Sequence, residues 1–242
     1  MIYIIKLASN ICIIIGISKK LKGYGGRDTM KQKQQTEYEK MVLGKLFNPA
    51  DKSFLFTLAR AEWLQRKLNK APLWAQGRKE RIFKKLVGSV DGNPYNIFTP
   101  FKVVCGKNIY IGKNFFANWN LCLQDYAEIH IGDNVFIGPN VSIVTIQHPI
   151  DAEERKPRKV PGSLISGSRG NFEKALPVYI GNNVLIYTNV TVCPGVTIGD
   201  NSIIGAGSVV THDIPANVFA CGVPCKVVRE ITEEDRMNNE HI

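Results

Sequence analysis

The sequence predicts a parallel β-helix, and three observations predict it. Ile180, Ile186, Val192, Ile198, Ile204 and Val210 stand six residues apart without a break. Two residues ahead of each lies a second column, Val178, Val184, Val190, Val196, Ser202 and Ser208. Turn-forming residues punctuate the same stretch at Gly181-Asn182-Asn183, Pro194-Gly195, Gly199-Asp200-Asn201 and Gly205-Ala206-Gly207. A helix carries its apolar residues at a period of about 3.6 and a simple strand at about two, so neither accounts for a period of six. In a β-helix each six-residue rung supplies one short strand. Three rungs close a triangular coil, and the stacked aliphatic columns fill its interior.

The elements follow in order. Residues 1–30 form an apolar and basic extension, in which residues 2–17 are broken only by Lys6, Ser9 and Asn10. That run is short of the roughly 20 residues a membrane-spanning helix needs. Its cations Lys19, Lys20 and Lys22 follow the apolar stretch, and no small-residue cleavage site appears, which fits a signal peptide poorly. Gly25-Gly26-Arg27-Asp28-Thr29 directly precedes Met30, and a ribosome-binding stretch read in frame gives Gly-Gly. Translation is therefore expected to begin at Met30. An intact mass of the natively expressed protein that included residues 1–29 would overturn this.

Residues 31–90 read as a small helical domain. Thr36 with Glu39 makes a capping box, and a helix through Met41, Leu43 and Leu46 is expected to run to Asn48-Pro49. A second helix starts at Asp51 or Ser53, passes through Leu55, Leu58, Ala59 and Trp63, and ends near Asn69. Pro72 breaks the pattern, and a third, strongly basic helix runs from Arg78 to Leu86 before Gly88. The solenoid is expected over residues 94–230. Its first coils place Ile111, Ala117 and Leu123 in register, then slip by two residues to Ile131, Ile137 and Ile143. The ladder stops at His148-Pro149-Ile150-Asp151 and resumes at Val178, so residues 149–177 form a polar, basic insertion. An insertion of that length in a regular scaffold reads as functional. Residues 231–242 form a charged C-terminal tail.

Composition narrows the chemistry. Thirty-one Lys and Arg against 21 Asp and Glu give a net charge of +10, and five of those cations lie in the first 30 residues. The remainder suits a polyanionic small molecule, and no basic stripe interleaved with aromatics points to nucleic acid. Six scattered cysteines without a C-x-x-C pair fit small apolar residues in a reducing cytoplasm better than a disulfide or metal framework.

His148 leaves the coil where the insertion begins, and an imidazole that titrates near neutrality suits a general base acting on a hydroxyl. Together with Asn114-Phe115-Phe116-Ala117-Asn118, Pro194-Gly195-Val196-Thr197-Ile198-Gly199-Asp200-Asn201 and Ala220-Cys221-Gly222-Val223-Pro224-Cys225, it resembles the maltose and galactoside O-acetyltransferases. These are hexapeptide-repeat sugar acetyltransferases, and the resemblance runs from about Glu37 to Arg236. It implies a left-handed parallel β-helix, acetyl-CoA as co-substrate without a metal, and a homotrimer with its active sites between subunits. It implies direct attack of a sugar hydroxyl on the thioester, with His148 as base and Asn118 beside the reacting groups. Asp51, Arg60, Asn118 and Asp125 match acceptor-binding positions. Thr188 matches the oxyanion donor, and Ala206, Thr211, His212, Lys226 and Arg229 match coenzyme contacts.

Departures from the family pattern are confined to a few places. Leu185 stands where the family has tryptophan and Tyr187 where it has glycine, both beside the coenzyme path. Val104 and Tyr126 replace a serine and an aspartate of the sugar site, so a less polar acceptor, or one other than a sugar, stays open. Two further alternatives differ in class. A γ-carbonic-anhydrase-like metalloenzyme would use His130 and His148, 18 residues apart, but needs a third ligand. A non-enzymatic solenoid scaffold gives no reason for His148, Asn118 and the coenzyme-side motifs to occur together.

Overall fold

The computed structural model describes residues 35–94, 96–159, 169–170 and 172–236. The expected start at Met30 and the apolar run before it lie outside these residues. From Ser89 onward the chain visits three parallel sheets in turn. The first sheet contains Ser89–Val90, Ile109–Ile111, Ile129–Ile131, Val178–Ile180 and Thr197–Ile198. Asn96–Ile97, Phe116–Ala117, Phe136–Ile137, Leu185–Ile186, Ile203–Ile204 and Val218–Cys221 form the second, closed by antiparallel Lys226–Glu230. The third contains Phe101–Val103, Leu121–Gln124, Ser142–Val144, Thr191–Val192 and Val209–Val210.

Both columns read from the sequence point inward. Ile186, Val192, Ile198, Ile204 and Val210 are fully buried, and the second column from Val178 to Ser208 is buried throughout. The two serines in that column have a local reason. Ser202 Oγ donates to Pro215 O and accepts from Val218 N, while Ser208 Oγ donates to Gly205 O and accepts from Gly222 N. Each hydroxyl ties down the segment that closes the last coil, which a valine could not do.

The corners are built differently. Between the first and second sheets, Asn114, Asn134, Asn183, Asn201 and Asn217 all adopt positive φ, near +60°. Their side-chain amides donate one to the next at 2.8–2.9 Å, making a ladder of asparagines up one edge. Asparagine tolerates this left-handed conformation better than other side chains do. Gly132 sits at the same corner because a Cβ there would lie 2.7 Å from the backbone of Gly181 in the next coil.

The corner from the third sheet back to the first is the irregular one. Coils pair at a 20-residue spacing below it, as in Phe101↔Leu121 and Ile109↔Ile129, and at 18 above it, as in Ile180↔Ile198. The two-residue slip seen in the sequence falls at 104–108 and again at 124–128, and the long insertion leaves from this same corner. The insertion is ordered at its base by antiparallel pairs, Ile146↔Ala175 with Gln147↔Lys174, and farther out by Arg158–Lys159 with Arg169–Gly170.

Among the described residues three α-helices pack on the solenoid: α1 (Glu37–Val42), α2 (Leu55–Asn69) and α3 (Gln76–Leu86). The capping box forms, with Glu39 N donating to Thr36 Oγ1 and Thr36 N to the Glu39 carboxylate. The expectation that this helix reaches Asn48-Pro49 is corrected: α1 ends at Val42, because Gly44 turns the chain at φ +65°. Asp51 caps a short 3₁₀ turn at Ser53 N, and the turn runs directly into α2. Ala61, Leu64, Leu68, Phe83 and Leu86 belong to the same buried cluster as the solenoid interior, so α2 and α3 plug its open end. A second cluster joins Met41, Phe47 and Phe54 to Cys105, Ala127 and Ala175 at the irregular corner. No helix of the described residues is long and apolar enough to cross a membrane.

Candidate active site

His148 lies just beyond the ribbon at the base of the insertion, where the antiparallel register sets it opposite Glu173. His148 Nδ1 is 3.3 Å from Glu173 Oε1. The two side chains differ in environment: His148 is 55 % exposed and Glu173 9 %. Glu173 is fixed by its backbone as well, since Phe47 N donates to Glu173 O and Glu173 N to Phe47 O, both at 3.0 Å. The segment after α1 therefore clamps the strand that carries the carboxylate. Burial raises the Glu173 carboxyl above the usual range, and His148 draws it back down. A carboxylate at Nδ1 holds the ring proton there and leaves the basic lone pair on Nε2. A cavity of about 180 Å³ opens beside the pair, lined by Leu46, Gln147, His148, Pro149, Ile150, Glu154 and Lys174.

Glu173 is the neighbour of His148 that sequence reasoning missed. It carries no local motif, and only the ribbon register, across 25 positions, brings it to His148.

The other expected residues fall in several places. Asn118, Thr188 and Ala206 lie along the corner between the second and third sheets, where Thr188 and Ala206 are in register, two residues past Ile186 and Ile204, and Asn118 falls one position earlier, directly after Ala117. Asn118 Oδ1 accepts from Trp119 N at 2.8 Å, and Thr188 Oγ1 donates to Pro139 O at 3.1 Å. Tyr187 stands in this corner between Gly138 and Gly205 of the neighbouring coils and is 46 % exposed. His148 occupies a different corner, so one chain does not bring His148 to Asn118. Thr211 and His212 leave the top of the third sheet, with Thr211 Oγ1 2.9 Å from His212 Nδ1. Lys226 and Arg229 lie on the closing antiparallel strand, where the Arg229 guanidinium makes a two-pronged contact with Asp235 at 2.7 and 2.5 Å.

Two acceptor-site expectations meet structural roles instead. Asp125 is fully buried: Oδ1 accepts from Val104 N and Cys105 N, and Oδ2 from Asn108 N. It stitches the irregular corner from inside rather than facing solvent, and burial pushes its carboxyl up to about 7 against the pull of those amides. The Arg60 guanidinium donates to Lys85 O and Leu86 O, tying α2 to the carbonyl end of α3. Asp51, half-buried, uses one carboxylate oxygen as the cap already described.

The stacking of His130 on His148 is also corrected. His130 pairs in register with Tyr179 and lies between the rings of Tyr110 and Tyr179, at 4.8 and 5.0 Å, on the outer face of the first sheet. Among the described residues no group of three His, Cys, Asp or Glu could hold a metal ion.

The coil geometry has counterparts among known proteins. Residues 177–212 match the family described as bacterial transferase hexapeptide (six repeats), and residues 128–150 the hexapeptide repeat of succinyl-transferase. Parallel coils built on these repeats, with a histidine–carboxylate pair beside a cleft, define the chain as a hexapeptide-repeat acyltransferase. The galactoside O-acetyltransferase of Escherichia coli K12 is 40% identical over 198 residues, spanning 82% of this chain and 91% of that protein. A maltose O-acetyltransferase from Clostridium difficile 630 superposes with a TM-score of 0.69 at 40% identity, covering 82% of this chain and 99% of its own. A galactoside acetyltransferase solved with coenzyme A gives 0.74 at 38% identity, covering 84% and 94%. This chain belongs to the galactoside and maltose O-acetyltransferase family.

Proposed function

We propose that the protein transfers the acetyl group of acetyl-CoA to a sugar hydroxyl, with His148 as general base and Glu173 as its positioning partner. The observation that carries this reading is the His148–Glu173 pair, held by the ribbon and by Phe47 at the mouth of a cleft. As the acceptor oxygen attacks the thioester carbon, Nε2 takes the hydroxyl proton. The imidazolium then carries a positive charge beside the Glu173 carboxylate. Collapse of the tetrahedral intermediate breaks the carbon–sulfur bond, and the same proton passes to the departing thiolate. The products are the acetyl ester and free coenzyme A. A base of this kind supplies about 10²–10⁴-fold, and holding both substrates in one cleft supplies much of the remainder.

The donor side belongs to the opposite corner. Thr188 turns its hydroxyl from Pro139 to the developing oxyanion, Ala206 and Thr211 flank the pantetheine, and His212, Lys226 and Arg229 face the coenzyme phosphates. Because His148 and the Asn118–Thr188–Ala206 edge lie on different corners, the working enzyme is a homotrimer in which a neighbouring copy supplies the second edge. The solenoid suits this role: above Lys102, the outward column of the third sheet, Cys122, Ser142, Thr191 and Val209, between those two corners, is small and uncharged.

Val104 and Tyr126 favour a second reading, in which the same transfer serves a non-sugar alcohol. Thiol release from acetyl-CoA against a panel of sugars and simple alcohols, on wild type and His148→Ala together, decides between them. Sugar turnover that collapses in the variant supports the proposal. Turnover with alcohols alone replaces it with the second reading, and turnover that survives in His148→Ala removes the base.

A further inference from the structure

A larger cavity, about 570 Å³, lies one to two coils below His148, between α2 and the third sheet. Its volume falls within the range of small-molecule sites. Glu62 and Arg66 line it from α2, and Lys102, Val104, Gln124 and Tyr126 from the solenoid. Tyr126 links it to the catalytic corner. That ring packs against Phe47 at 6.2 Å, and burial together with the Glu173 carboxylate pushes its phenol up to about 12.

The polar groups of this trough differ in what remains to them. Arg66 Nε and Gln65 Nε2 both donate to Glu62, which occupies both of its oxygens. The Asn69 amide donates to Phe101 O and accepts from Phe101 N. Lys102 is exposed, and among the described residues it has no carboxylate partner. The Glu62–Arg66 pair is neutral overall, so the trough presents one uncompensated cation at its far end. Lys102, Cys122 and Ser142 stand in register on successive coils, which places the ammonium stem about 10 Å below the strand leading to His148. Val104 and Tyr126 supply an apolar wall between the two ends.

We infer that the acceptor is an anionic saccharide at least two rings long, with its reacting hydroxyl at His148 and its carboxylate or other anion at Lys102. The inference rests on the acetyl transfer proposed above and names the acceptor class for that site. The side chains that α2 turns into the trough, Glu62, Gln65, Arg66 and Asn69, are already paired within the protein, and Lys102 is the cation left without a counter-charge among the described residues that line it.

The test compares maltose with maltobionate, which keeps the non-reducing ring and carries a carboxylate at the other end. Both are assayed by thiol release with the full chain at low ionic strength. Wild type is expected to favour maltobionate by about tenfold in kcat/KM, the size of one hydrogen bond to a charged group. The preference is expected to vanish in Lys102→Gln, reverse in Lys102→Glu, and fade in high salt. Lys113→Gln, an exposed cation on a different corner, is expected to keep the wild-type ratio. A wild-type ratio near one, or a preference that survives Lys102→Gln, overturns the inference while maltose turnover leaves the proposed function standing. No turnover with any acceptor removes the proposed function, and this inference with it.

Discussion

Glu173→Gln isolates the step that the proposed mechanism assigns to the carboxylate. The substitution keeps the size of the side chain and its backbone pairing with Phe47, and removes only the charge 3.3 Å from His148 Nδ1. Coulomb's law sets bounds on the effect. Two unit charges at that separation attract by about 1 kcal/mol in water and about 5 kcal/mol at the effective dielectric of a protein surface. His148 is more than half exposed, so the lower part of that range applies, roughly 1.5–3 kcal/mol, as for a hydrogen bond to a charged group. The imidazolium forms only as the hydroxyl proton is taken, so this loss falls on the transition state. The expected result is a fall in kcat of about 10- to 100-fold with KM for both substrates little changed. Steady-state thiol release measures both constants, and a thermal melt checks that the fold is intact. Glu173→Asp, one methylene shorter, is expected to recover only part of the loss. A kcat within threefold of wild type in Glu173→Gln would refute the positioning role.

Other expectations follow from the scaffold. Asp125, raised from 3.8 to about 7 by burial, is a group whose folded value lies above its unfolded one. Its contribution is complete below the unfolded value and is lost as pH rises toward and through 7. Wild-type stability is therefore expected to fall by roughly 2–4 kcal/mol between about pH 4 and pH 8, and Asp125→Asn to flatten that slope in denaturant titrations; parallel slopes would contradict it. Gly132→Ala drives a Cβ to 2.7 Å from the Gly181 backbone, and is expected to cost about 1–3 kcal/mol with a matching drop in Tm. Arg229→Ala is expected to raise KM for acetyl-CoA several-fold at constant kcat, while Asp235→Ala, which releases the guanidinium from its two-pronged contact, lowers it. An unchanged KM in Arg229→Ala would remove that residue from the coenzyme site.

The interior columns were legible in the sequence because they obey a strict period, and a period survives whatever the chain does elsewhere. Ile180 to Val210 needed no knowledge of partners, since each residue sits under its counterpart 18 positions away. The early two-residue slip was legible for the same reason. What the sequence hid were contacts with no period. Glu173 reaches His148 only through the register of a ribbon, and Asp125 looks like any exposed corner aspartate until the amides of Val104, Cys105 and Asn108 close over it. Arg60 resembles a surface cation, yet the last turn of α3 takes both ends of its guanidinium. The length of α1 was overestimated because Leu43 and Leu46 continue an apolar pattern, whereas both are more than half exposed, one on each side of the turn at Gly44.

These failures share a location, and the location is informative. Two corners of the solenoid repeat closely, one by an asparagine ladder and one by Asn120, Asn140 and Asn189 at positive φ. The third admits two extra residues twice and then a long insertion, and around it gather Tyr126, Asp125, Glu173 and His148. A six-residue rung has little spare backbone with which to hold a catalytic pair, because its strand amides are committed to the neighbouring coils. Chemistry therefore enters where the period is broken, and the broken corner must be reinforced. Asp125 does so from within, and Phe47 with Phe54 and Met41 from outside. Weakening that reinforcement should affect the reaction before the fold. Phe47→Ala removes a fully buried ring that packs on Tyr126, while the Phe47 amide and carbonyl still pair with Glu173. It is expected to lose about 3–5 kcal/mol of local packing, and kcat with it, while the Ile180–Val210 coils stay folded. Hydrogen exchange on those coils, set beside turnover, checks the separation. Equal loss of protection throughout the solenoid would show that the corner and the coils stand or fall together.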